Sequence, residues 1–281
     1  MTICIAANCA HGEAVVVASD RMLTAHFLAL EFDHPDAKIE EISPTCVALT
    51  SGDALAAQGV LAAGPGIAGQ LQDPFISDFA EHIRQKYVES RRKMANQGIL
   101  EPRGMTFDNF YSGGINNLPR DLAMLLDSHI QRADLGVSII LAGVDRAGPH
   151  IYGIEDPGTS ICFDRLSYHA IGSGDRHAIL TLVAQKQHHT MGLNQTVFNA
   201  YCAKRAAEAA PGVGTETEMR VITRTGIHSV TAGELDALSG LHKKRMNPKL
   251  DEVDKGVKEL PYEQGSKDGK AKGRSKSGGA A

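Results

Sequence analysis

The chain of 281 residues contains no tryptophan, and aromatic residues make up only 5% of it. With 42% of its residues hydrophobic, it has to build its core from Val, Ile, Leu and Ala. There are five cysteines, an odd count with no Cys-x-x-Cys spacing: Cys4, Cys9, Cys46, Cys162 and Cys202. That pattern argues against a disulfide framework or a zinc site and suits a reducing cytoplasm. No apolar run approaches the roughly 20 residues that span a bilayer. No basic start precedes a long apolar segment, so a signal peptide is not expected. An overall basic balance is also missing. The formal net charge of −4 argues against nucleic acid as the partner of the whole chain. From Lys243 onward, eleven Lys/Arg stand against six Asp/Glu, a net of +5, which leaves −9 for the part before it.

What is present alternates between strand and helix blocks. Residues 2 to 9 and 13 to 20 are apolar runs joined by the tight turn Ala10-His11-Gly12. KIEEI (38–42) and TCVALT (45–50) form a second pair around Ser43-Pro44. Asp53 is a suitable N-cap for a helix, which Gly64-Pro65-Gly66 interrupts. Apolar residues at helical spacing mark a helix over Phe75–Met94, Gly98 to Gly114 reads as a loop, and Leu118 to Ile130 reads as a helix with Pro119 in its first turn. Strands are expected at 137–144, 150–154, 160–163 and 168–171, helices at about 175–187 and 195–210, and a last hairpin at 218–223 and 227–230. Thr231 with Glu234 forms a capping box that opens a final helix toward Met246. Strands in blocks predict an α+β fold, two stacked antiparallel sheets between two helical layers. The expected domain covers residues 1–246. Residues 247–281, rich in Lys, Gly, Ser, Asp and Glu, read as a disordered basic low-complexity tail.

The chain starts MTICIAA, so a threonine stands directly before a buried-strand pattern. An initiator Met is usually removed when a small residue follows. Thr2 would then carry a free α-amine, which titrates near ~7.7–8.0 and can act as its own base. Such a nucleophile needs a cation to lower its proton affinity, a carboxylate to aim that cation, and N–H donors for an oxyanion. Asp20 at the end of the second strand, Lys38 at the start of the third and Gly52 before the first helix could fill these roles. Taken singly, Asp20 reads as a turn former, Lys38 as a solvated charge and Gly52 as a hinge.

Their order together resembles the proteasome β-type and bacterial HslV-like branch of the N-terminal nucleophile hydrolases. The matching residues are Thr2, Gly12, Ala18-Ser19-Asp20 with Thr24, Lys38-Ile39-Glu40-Glu41-Ile42, Ser51-Gly52 and, further on, Gly172-Ser173-Gly174-Asp175. The resemblance implies the four-layer αββα sandwich. It also implies that Thr2 is the nucleophile, Lys38 its electrostatic activator, Asp20 the residue that orients Lys38, Gly52 the oxyanion donor and Ser173 a partner of the terminal amine. Thr24 would pair with the substrate main chain, and Ser51 is the second expected substrate-binding position. The implied activity is hydrolysis of a peptide or unfolded-protein substrate through an acyl-enzyme, with no metal or organic cofactor. Partners implied by the resemblance are further copies in a homo-oligomeric ring or stacked assembly, with room for an ATP-dependent unfoldase. Two departures stand out. No carboxylate occurs in Ala209–Gly214, where the family places a further Asp, so that either Asp175 or a shifted alignment would have to supply it, and Arg21-Met22 replace a small residue followed by Arg.

Other readings stay open. The same fold serves as a non-catalytic shell subunit, and the basic tail, with Lys270, Lys272, Arg274 and Lys276, reads first as a solubilising tail and otherwise as a binding module for nucleic acid or another acidic partner. Cys4, on the face of Thr2, is expected to pack beneath it. His188-His189 is expected at a helix end, solvated and facing apart.

Overall fold

The computed structural model describes residues 2–25, 30–33, 38–62 and 74–246. The chain divides into two units, Met1–Leu235 and Asp236–Ala281. The tail expected from residue 247 lies outside the described residues.

In the first unit, β1 (Cys4–Cys9) and β2 (Ala14–Asp20) form the opening hairpin. Every residue of both strands is buried. A strand covered on both faces needs apolar side chains at successive positions rather than alternating ones, which is why these runs read as continuous. A short pair follows, β3 (Met22–Ala25) with β4 (Leu30–Asp33). β5 (Ile39–Ser43) and β6 (Cys46–Gly52) make the second hairpin. Next come α1 (Ala54–Leu61) and α2 (Ile76–Ala95). Asp53 caps α1 as its sequence suggests, accepting from the N–H groups of Leu55 at 2.9 Å and Ala56 at 3.0 Å. The Gly64-Pro65-Gly66 break lies outside the described residues.

Residues 98–114 do not form the expected loop. A π-helical turn (Asn96–Leu100) continues α2, a 3-10 turn (Glu101–Arg103) follows, and then come α3 (Phe107–Tyr111) and another 3-10 turn (Gly114–Asn117). The glycines and Pro102 punctuate this segment but do not unfold it. Thr106 and Asn109 cap α3 reciprocally, and Leu100 and Phe110 bury themselves against Leu126 and Ile130 of α4 (Arg120–Gln131) in a small separate core. Arg91 of α2 closes α4 by donating to the carbonyls of Ala133 at 2.7 Å and Gln131 at 2.6 Å.

β7 (Val137–Asp145), β8 (Gly148–Glu155), β9 (Thr159–Cys162) and β10 (Tyr168–Ile171) follow. Then come α5 (Asp175–Ala184), α6 (Leu193–Ala207), β11 (Thr217–Thr223) and β12 (Gly226–Ser229). The last helix, α7 (Ala232–Met246), opens on its capping box, with the Thr231 N–H donating to Glu234 at 2.7 Å.

Two five-stranded antiparallel sheets result, ordered β10-β1-β2-β11-β12 and β5-β6-β7-β8-β9. Their facing sides bury Cys4, Ala6, Val15 and Val17 of the first against Val47, Leu49, Ile140 and Ile151 of the second. The outer side of the second sheet packs Ala48, Ile139 and Leu141 on Val60 and Leu61 of α1 and on Phe79 and Ile83 of α2. α5 and α6 pack on the first sheet. This is the four-layer α+β sandwich expected from the sequence. No helix among the described residues is long and apolar enough to cross a membrane.

Candidate active site

The two sheets bring the starts of β1 and β5 to the end of β2. Thr2 precedes β1, Asp20 ends β2 beside Ile3, and Lys38 precedes β5. All three are buried, at 3%, 0% and 6% exposure. The Thr2 hydroxyl donates to Asp20 Oδ1 at 2.5 Å. Lys38 Nζ donates to Asp20 Oδ1 at 2.6 Å and also to Thr2 Oγ1. The Ile3 N–H adds a third donor to Asp20 Oδ1 at 3.0 Å, and the Gly214 N–H holds Oδ2 at 2.9 Å. A buried ammonium on a hydroxyl oxygen stabilises the alkoxide form of that oxygen, and the adjacent carboxylate offsets the cost of burying the ammonium.

Ser173 reaches this cluster from an exposed turn. The Thr2 N–H donates to Ser173 Oγ at 3.3 Å, and Ser173 Oγ lies 3.2 Å from the Pro211 carbonyl. The turn is held against the chain start by the Gly174 N–H on the Thr2 carbonyl at 3.4 Å. Gly172 has φ +106°, and a Cβ there would run into the Thr2 carbonyl. Glycine is therefore required for the approach.

Gly52 ends β6 opposite Val137, with φ +101°. Its strand approaches β1 and Lys38 through Thr50. The Thr50 carbonyl accepts from Cys4 Sγ at 3.3 Å, and the Thr50 N–H donates to the Lys38 carbonyl at 3.4 Å. Ser51 precedes Gly52, opposite Ser138 of β7. Thr24 lies in β3 opposite Glu31, and its side chain is outside what the structure describes. Asp175, the expected substitute for a missing carboxylate, begins α5 and accepts from its neighbour's N–H, that of Arg176, at 2.5 Å. The partners of Thr2 and Ser173 given above do not include it.

Burial pushes the Cys4 thiol up to about 12, against the opposing pull of Lys38. Cys4 therefore stays protonated and packs under the site, as its position on β1 suggests. His188 and His189 are exposed, as expected, but they are neither at the helix end nor facing apart. α5 ends at Ala184, so they lie in a turn beyond it, with ring centroids 4.0 Å apart. Among the described residues, no group of three or more His, Cys, Asp or Glu is placed to hold a metal ion.

The backbone donor of Gly214 and the carbonyl of Pro211 escaped the sequence reading. The only local signal is the Pro211-Gly212-Val213-Gly214 run, which reads as a turn and does not reveal that it meets Asp20, 194 residues away.

Comparison with curated proteins found no match. A family model described as Proteasome subunit matches residues 108–209, a span that runs from α3 through α6 and contains Ser173, so over that part of its length the chain is similar to a proteasome subunit.

Proposed function

We propose that this chain is a proteasome-type subunit that hydrolyses amide bonds of peptides, with Thr2 as nucleophile once Met1 is removed. The observation that carries this reading is the buried Lys38 ammonium on Thr2 Oγ1, with Asp20 Oδ1 bridging the two. Removal of Met1 turns the Thr2 amide, already directed at Ser173, into an α-amine. The amine takes the hydroxyl proton, and Oγ1 bonds to the scissile carbonyl carbon. The developing oxyanion is received by the Gly52 N–H. The C–N bond then breaks, the leaving nitrogen takes the proton from the amine, and an ester to Thr2 remains. Water, deprotonated by the same amine, cleaves that ester and returns the proton to Oγ1. No step needs a metal or organic cofactor. In this reading Thr24 pairs with the substrate main chain and Ser51 is a second substrate-binding position. It extends to a homo-oligomeric ring or stacked assembly in the cytoplasm, fed by an ATP-dependent unfoldase, with residues 247–281 as an appended basic tail.

A second reading, a non-catalytic shell subunit, draws on one observation. The segment Ala209–Gly214 offers no carboxylate, and Ser173 meets the Pro211 carbonyl instead.

Thr2→Ala is expected to abolish peptide turnover and leave the melting temperature within a degree or two of wild type, because the lost hydroxyl is small and Lys38 keeps Asp20. Turnover equal to wild type in the mutant refutes the nucleophile. An intact mass that retains Met1 leaves no free threonine amine and favours the shell subunit.

A further inference from the structure

Lys204 lies on α6, is fully buried, and takes no part in the reaction described above. Its Nζ donates to the Thr215 carbonyl at 2.7 Å and pairs with Glu208 Oε1 at 2.6 Å. Thr215 follows Gly214, whose N–H holds Asp20 Oδ2. An ammonium in an apolar layer is costly, and a Leu or Met of similar volume would pack there without that cost. What an apolar side chain cannot do is grip a carbonyl of the segment between α6 and β11, which has no strand partner of its own.

We propose that Lys204 is a positioning residue: by holding the Thr215 carbonyl it seats the Gly214 N–H on Asp20 Oδ2. The Asp20 carboxylate is thereby fixed in the rotation that turns Oδ1 to Thr2 and Lys38. Three donors meet at Oδ1, while Gly214 is the donor at Oδ2, so loss of that contact frees the carboxylate to turn. The assignment rests on the reading of Thr2 as nucleophile for its catalytic consequence, but not for the tether itself. Burial lowers the Lys204 pKa and Glu208 opposes that, which keeps an ion pair at the anchor. Glu208 also meets Arg205 at 3.0 Å, so removing the ammonium does not leave that carboxylate unpaired.

The test compares the full chain with Lys204→Met, which fills the space without a charge, and Lys204→Gln, which keeps a neutral donor. Deuterium exchange of the peptide covering residues 209–217 is read by mass spectrometry beside kcat and KM. In Lys204→Met, exchange of that peptide is expected to rise about tenfold while β1 and β2 stay protected. kcat is expected to fall about tenfold or more with KM within about twofold, since a charged hydrogen bond is lost from the support of the carboxylate. Lys204→Gln should fall between the two, and it carries the comparison by itself if Lys204→Met does not fold. Unchanged exchange at 209–217 overturns the tether. Faster exchange with kcat unmoved overturns the positioning role. A wild-type chain without Thr2-dependent turnover sinks the nucleophile reading instead, and the exchange data then decide the tether independently.

Discussion

Asp20 accepts from the Thr2 hydroxyl, the Ile3 N–H, Lys38 and the Gly214 N–H, whereas Lys38 rests on Asp20 and the Thr2 hydroxyl. This asymmetry predicts unequal costs for removing either partner. Lys38→Met leaves a carboxylate that still has three donors, and an apolar stem to fill the space. Asp20→Asn leaves an ammonium buried without its counter-charge. Breaking a buried pair from one side costs about 3–5 kcal/mol when the remaining charge is stranded. Urea unfolding should therefore place Asp20→Asn near that range and Lys38→Met clearly below it. Equal losses would mean that the Ile3 and Gly214 donors do not support the carboxylate. Both variants are expected to lose turnover.

At the scale of elements, two features of the first sheet matter. The turn after β10 needs Gly172, because φ +106° and the nearby Thr2 carbonyl exclude a side chain. Gly172→Ala should cost about 1–3 kcal/mol and reduce turnover by moving Ser173. Gly192→Ala, where a Cβ meets nothing within 4 Å, should change stability by no more than about 0.5 kcal/mol. Thermal melts of the pair separate local strain from a general intolerance of alanine. Within β10, His169 stacks on Phe163, with ring centroids 3.7 Å apart, and burial holds its pKa down to about 4. The folded chain therefore keeps this imidazole neutral while an unfolded one protonates near ~6.5. Stability contributed by the neutral ring is full above that value and drains away as pH falls from about 6.5 toward 4, by on the order of 3 kcal/mol. His169→Gln should flatten that part of the curve of urea midpoint against pH. An unchanged slope would assign the acid sensitivity to other groups.

At the scale of the molecule, the site exists because two sheets face each other. Leu49 of β6 is fully buried in the layer between them, next to the strand end that carries Ser51 and Gly52. Leu49→Ala should cost about 2–5 kcal/mol and also weaken turnover, since the spacing of β1 against β6 sets where Gly52 stands. An alanine at Leu55, which is 76% exposed on α1, should leave both unchanged. Chemical denaturation and peptide turnover, measured on the same samples, check the pair. Native mass spectrometry of the wild type tests the proposed ring, whose absence would limit the reading to a monomeric hydrolase.

Much of this was written locally in the chain. Apolar runs around a tight turn marked β1 and β2 as a hairpin, with β1 as a buried strand, and Thr231 with Glu234 marked the start of α7. Thr2, Asp20 and Lys38 stood out as strand-end residues whose types fit one chemistry. Other features depend on contacts that no local pattern encodes. The segment 98–114 looked like a loop because Gly and Pro are read one at a time, whereas its short helices form only because Leu100 and Phe110 find Leu126 and Ile130. The β3–β4 pair gave no signal beside the run from Ala18 to Thr24. The Gly214 donor and the Lys204 anchor arise only when the segment before β11 is folded against the end of β2. Side-chain periodicity reports which face of an element meets apolar neighbours, so sequence alone determined the layers. Backbone N–H groups and carbonyls are the same at every position, so only the tertiary structure decided which of them would meet Asp20.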